Sequence, residues 1–119
     1  MRGSCHCGAI AFEVAAPPAE VSQCNCSLCR RLGWLCAYYP PEQFTLLRGA
    51  DALDSYVQGD RTLAVKRCKT CGCPTHWVGL PGIEAFPGGA VPKVGINARL
   101  LEDLDWDKIA VRKVDGASY

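Results

Sequence analysis

What this chain lacks first is charge of one sign. Its 13 Lys and Arg stand against 12 Asp and Glu, a formal net charge of +1 over 119 residues. Without a strong overall field there is little to draw in nucleic acid or an acidic membrane surface, so no nucleic-acid partner is expected. Long apolar runs are missing as well. Nothing approaches the roughly 20 residues that a membrane span needs, and Met1 to Cys7 holds no apolar signal-peptide core. The expected setting is therefore soluble, reducing and cytoplasmic, with no membrane partner. Histidine is scarce: His6 and His76 are the only two. His6 points away from its two neighbours in an extended chain. His76 could approach a site, but both read as ordinary surface or core histidines.

Cysteine, by contrast, is abundant. Nine stand at positions 5, 7, 24, 26, 29, 36, 68, 71 and 73. An odd number cannot all pair within one chain, and nothing here marks secretion, so the density points to metal or catalysis rather than to a disulfide framework.

The hydrophobic pattern favours one mainly-β domain over residues 1–119, with little helix. Short apolar runs at 9–14, 34–39, 44–47, 53–57, 61–67, 76–80, 93–98 and 109–114 read as strands. Pro17-Pro18 and Pro40-Pro41 end two of them, and Gly49 and Gly59-Asp60 supply turns. Pro41 to Phe44 could start one helical turn, and Leu100 to Lys108 has a weak helical flavour. The stretch 79–95 is rich in Pro and Gly and reads as a long loop.

Seven cysteines fall into three clusters. Cys68-Lys69-Thr70-Cys71-Gly72 suits a zinc knuckle, where the turn aims two sulfurs at one ion and Gly permits a positive φ. In Cys5-His6-Cys7 the side chains at i and i+2 share a face. Pairing these two clusters gives a Cys₄ set of Cys5, Cys7, Cys68 and Cys71, the closed arrangement of structural zinc. Cys24-Asn25-Cys26-Ser27-Leu28-Cys29 packs three thiols into six residues, which could cap one face of a tetrahedron and leave the fourth position open. Cys73 or Cys36 could fill that position. Cys36, within Trp34 to Tyr38, reads better as a small buried hydrophobe. Iron–sulfur ligation is the competing use of the clusters.

Taken together, Gly3-Ser4-Cys5-His6-Cys7-Gly8, Cys24-Asn25-Cys26-Ser27-Leu28-Cys29-Arg30-Arg31 and Cys68-Lys69-Thr70-Cys71-Gly72 resemble the glutathione-dependent formaldehyde-activating enzyme family, which includes centromere protein V. Asp115-Gly116 also looks like that family's ending, so the likeness spans nearly the whole chain. The resemblance implies a β-tent zinc fold of small antiparallel sheets. It implies two Zn²⁺ ions: a structural one on Cys5, Cys7, Cys68 and Cys71, and a catalytic one on Cys24, Cys26 and Cys29. It implies a carbon–sulfur lyase that forms S-hydroxymethylglutathione from formaldehyde and glutathione. Arg30 and Arg31 then offset thiolate charge or pair with glutathione carboxylates, while Lys66, Arg67 and Lys69 read as a solvated basic face.

Two other classes compete with a zinc enzyme acting on a thiol–aldehyde adduct. One is a zinc-structured binding module without chemistry, which requires both sites to be closed by protein ligands. The other is redox or metal-buffer work by exposed thiols.

Overall fold

The computed structural model describes residues 1–57, 63–79, 94–115 and 117. The Gly59-Asp60 turn, Gly116 and residues 80–93 of the expected loop lie outside the described residues.

The mainly-β expectation holds. Among the described residues, ten strands follow in order: β1 (Arg2–Ser4), β2 (Ala11–Val14), β3 (Glu20–Cys24), β4 (Cys36–Tyr39), β5 (Phe44–Arg48), β6 (Leu53–Val57), β7 (Leu63–Cys68), β8 (Pro74–Gly79), β9 (Val94–Asn97) and β10 (Ala110–Val114). A six-residue helix, α1 (Ser27–Leu32), sits between β3 and β4. The strands form two sheets, one in the order β1-β2-β5 and one in the order β10-β3-β4-β9-β8-β7-β6. Pairing is antiparallel except where β10 runs parallel to β3.

The main core lies between the two sheets. Phe12 and Val14 of β2 pack with Val21, Leu35, Ala37, Tyr39, Val94 and Ile96 from β3, β4, β9 and their flanks. Phe12 and Ile96 are fully buried, and each such side chain contributes roughly 1.5–3 kcal/mol of transfer free energy.

Two smaller clusters position the cysteines. Trp34, Cys36, Val65 and Trp77 form an apolar bed on which Leu28, Cys29 and Leu32 of α1 rest. Cys5, Ile10 and Cys68 form the other, with Cys71 and Cys73 packed at its edge. The weakly helical stretch after Leu100 resolves into short 3₁₀ turns at Ala98–Leu100 and Trp106–Lys108, capped by the side chains of Asn97 and Asp105.

Candidate functional site

The first cysteine set joins the two ends of β1-to-β2 and β7-to-β8 geometry. Cys5 follows β1, and its carbonyl accepts the Gly8 N–H at 3.2 Å. Cys68 ends β7, and its carbonyl accepts the Gly72 N–H at 3.0 Å. Gly72 has φ 80°, a left-handed conformation that closes the knuckle and that Gly adopts without penalty. The Sγ atoms of Cys5, Cys7, Cys68 and Cys71 lie within 4.8 Å of one another.

These sulfurs fit zinc. Tetrahedral sulfurs about 2.3 Å from an ion stand about 3.8 Å apart; Cys5–Cys7 and Cys7–Cys68 measure 3.7 and 3.6 Å. Backbone N–H groups already point at them. Ile10 donates to Cys5 Sγ at 3.3 Å, and Thr70 and Cys71 donate to Cys68 Sγ at 3.4 and 3.5 Å. Such donors favour thiolates. The N–H groups of Cys71 and Thr70 hold the Cys68 thiol below its ordinary value against burial. Burial pushes Cys71 up, but backbone N–H groups of Cys7 and Cys73 with the thiols of Cys73 and Cys68 win, bringing it down to about 5. The Ala9 N–H opposes a rise at Cys7, yet burial and three neighbouring thiols push it up to about 11. Sulfurs this close cannot all ionise without a cation between them.

The second set is built by α1. Cys26 is its N-cap, and Cys26 Sγ accepts the Cys29 N–H at 3.3 Å. Gly33 closes the helix with φ 68°, its N–H bonded to the Cys29 carbonyl at 3.0 Å. Cys24, at the end of β3, accepts the Cys26 N–H at 3.5 Å. The three Sγ atoms of Cys24, Cys26 and Cys29 lie within 4.8 Å of one another. Burial raises the Cys26 thiol, but N–H groups of Cys29 and Leu28 and the thiols of Cys29 and Cys24 bring it below its usual value. Burial raises Cys29, opposed by the Trp34 indole. The sulfur-only donors again suit a thiophilic ion such as zinc.

Among the described residues, no fourth Cys, His, Asp or Glu joins this set. Cys36 is buried among Trp34, Val65 and Trp77, and burial pushes its thiol up to about 12. Cys73 packs beside Cys5 and Cys68 instead; the His6 N–H draws its thiol down, but burial and the Cys71 thiol hold it high.

A cleft of about 460 Å³ opens beside the second set, lined by Cys24, Cys29, Trp34 and Leu35, by the cations Arg30, Arg99 and Lys113, and by Asp115. The loop carrying Asn25 is tied to the C-terminal segment: Asn25 donates to Asp115 Oδ1 at 2.9 Å and accepts from the Ala117 N–H at 3.0 Å.

These features agree with what known proteins share with the chain. The profile of the glutathione-dependent formaldehyde-activating enzyme family matches residues 1–102. The chain belongs to that family. A crystal structure of a Rhodobacter sphaeroides protein superposes with a TM-score of 0.77 at 32% identity, covering 96% of this chain and 100% of that one. A Halomonas elongata protein, provisionally named a glutathione-dependent formaldehyde-activating enzyme, is 50% identical over 32 residues. That stretch is 26% of this chain and 20% of the Halomonas relative's length.

Against this family background the expected residues sort clearly. The two cysteine sets come together as their spacing suggested. Arg30 faces the cleft, whereas the Arg31 guanidinium turns back to donate to the Ser27 carbonyl at 2.9 Å. Lys66 and Arg67 of β7 reach across to Ser55 Oγ and Asp54 of β6, and Lys69 bonds the Asp51 carbonyl. His6 is exposed. His76 is buried in the core, 2.9 Å from Thr75 Oγ1 and with its ring tilted 35° against that of Phe44, centroids 4.8 Å apart. Sequence reasoning missed Arg99 and Lys113. They lie far along the chain, and only their common sign could have flagged them.

Proposed function

We propose that this chain is a zinc-dependent carbon–sulfur lyase-type enzyme of the S-(hydroxymethyl)glutathione synthase kind, a single domain working in a reducing cytoplasm. The observation that carries it is the three-thiol set of Cys24, Cys26 and Cys29, which no fourth Cys, His, Asp or Glu joins among the described residues, beside a cleft that Cys24 and Cys29 line together with Arg30, Arg99 and Lys113. Cys5, Cys7, Cys68 and Cys71 would hold a structural zinc, and Cys24, Cys26 and Cys29 a catalytic one. When bound there, zinc supplies an open position and lowers the pKa of a thiol.

The chain's own residues supply the rest. Arg30, Arg99 and Lys113 pair with the two carboxylates of glutathione and bring its thiol to the cysteine floor. Trp34 and Leu35 wall off water. The new bond joins the thiol sulfur to the formaldehyde carbon; the thiol proton is lost and the former carbonyl oxygen gains one from solvent. Little covalent help from the protein is needed, so positioning carries the acceleration. The nine free cysteines agree with a reducing setting. No helix among the described residues is long and apolar enough to cross a membrane.

The test is exchange NMR on formaldehyde and glutathione at equilibrium with zinc-loaded protein. Exchange faster than the spontaneous rate, abolished in Cys24→Ser, supports the reading. Exchange at the spontaneous rate overturns it for formaldehyde.

A further inference from the structure

Buried donors in folded proteins are almost always matched by an acceptor. Among the described residues, one buried side-chain nitrogen or oxygen is not: Nε1 of Trp34. The side chain is 4% exposed, so bulk water does not serve it. It follows directly on Gly33, belongs to the buried cluster against which Cys29 and Leu32 of α1 pack, and borders the cleft.

A second asymmetry lies beside it. Cys24 and Cys26 each accept a backbone N–H. Cys29 accepts none among the described residues, and its side chain packs against the buried cluster that holds Trp34, with both residues lining the same cleft. A protonated thiol is a weak acceptor, whereas a metal-held thiolate is a strong one. An indole N–H left unmatched beside a thiol is therefore matched once that thiol becomes a thiolate.

We propose that Trp34 Nε1–H is the outer hydrogen-bond donor to the Cys29 thiolate in the metal-loaded protein, completing a set in which every sulfur of the second site accepts at least one N–H. This rests on reading Cys24, Cys26 and Cys29 as a metal site. Trp34 is thus a positioning residue. Its N–H draws charge from one sulfur and fixes the Cys29 rotamer, so that the free face of the site points into the cleft. Outer partners of metal ligands commonly matter this much, and losing one lowers metal affinity about 10–100-fold.

The experiment loads ¹⁵N-labelled protein with ¹¹³Cd and compares it with Trp34→Phe, which keeps a buried aromatic ring but has no N–H. The expected result is a scalar coupling between the Trp34 Hε1 proton and the second-site ¹¹³Cd, with slowed exchange of that proton on loading. Trp34→Phe should lose metal from the second site at about 10-fold lower chelator concentration, leave the Cys5, Cys7, Cys68 and Cys71 site unchanged, and shift the sulfur-to-cobalt band of the cobalt form. Should Trp34→Phe fail to fold, the coupling in the unaltered protein decides. Two bound ions with no coupling and an unmoved indole proton overturn the inference alone. A single bound ion per chain overturns the metal reading and this inference together.

Discussion

Val114 stands opposite Cys24 across the parallel pair of β10 and β3. Lys113 is therefore opposite Gln23, and both line the cleft. Cys24 and Val114, one position on, line it too, while Arg112 pairs with Glu20 at 2.8 Å and reaches Ser22 Oγ at 3.4 Å. Arg112 thus ties β10 to β3, and Lys113 brings a cation to the rim of the cleft.

On the proposed function, that arrangement predicts how recognition of glutathione divides among the cations. Lys113→Ala, Arg99→Ala and Arg30→Ala should each raise KM for glutathione about 1.4-fold to fivefold, the range for exposed ion pairs of 0.2–1 kcal/mol. The effect should shrink at high salt. Arg31→Ala should leave KM unchanged, because its guanidinium serves the Ser27 carbonyl. Steady-state kinetics on the four variants checks this, and an Arg31 effect equal to the others would refute the division.

Metal removal should act unequally at the two sites. Cys5 and Cys68 are buried in a small apolar cluster, while Cys24, Cys26 and Cys29 are half-exposed. Cys68→Ser should take zinc from about two ions per chain to about one and lower Tm on the order of 10 °C. Cys24→Ser should lose the other ion with a much smaller drop in Tm. Elemental analysis beside calorimetry measures both, and equal losses of Tm would count against a structural–catalytic division.

The cysteine sets were legible in the sequence because their geometry is local. In Cys5-His6-Cys7 the strand period aligns two thiols, and in Cys68 to Gly72 the turn does so. Most strands were legible for the same reason, from apolar runs punctuated by Pro and Gly. Helix α1 was not. Its six residues carry no long apolar period, and isolated helices this short do not persist. It exists because Cys26 caps one end, Gly33 the other, and Leu28, Cys29 and Leu32 rest on the Trp34–Trp77 bed. Strand β3 was also missed, since Glu20, Ser22 and Gln23 break the apolar run. Arg99 and Lys113 reach the cleft only through the pairing of β9 with β4 and β10 with β3, which no local pattern encodes.

Gly33 gives a test of that helix end. A Cβ there would meet no atom within 4 Å, but φ is +68°. Gly33→Ala should therefore cost about 1–2 kcal/mol through backbone strain alone, and Gly33→Asn less, since Asn tolerates the left-handed region. Chemical denaturation of both variants checks the order. Weaker second-site metal binding in Gly33→Ala should accompany it, because the Gly33 N–H anchors the Cys29 carbonyl.

His76 sets the last prediction. Burial, with the charge of Lys66 second, brings its ring down to about 4 from 6.5. The folded pKa lies below the unfolded one, so between these values the unfolded chain binds more protons. Stability is then full above about pH 6.5 and falls as pH drops toward 4. At 1.36 kcal/mol per tenfold change in proton affinity, the most this removes is roughly 3 kcal/mol. In zinc-loaded protein, His76 ring resonances should stay those of the neutral form at pH 5.5. A midpoint near 6.5 would mean that the ring is open to water, contrary to its place between Thr75 and Phe44.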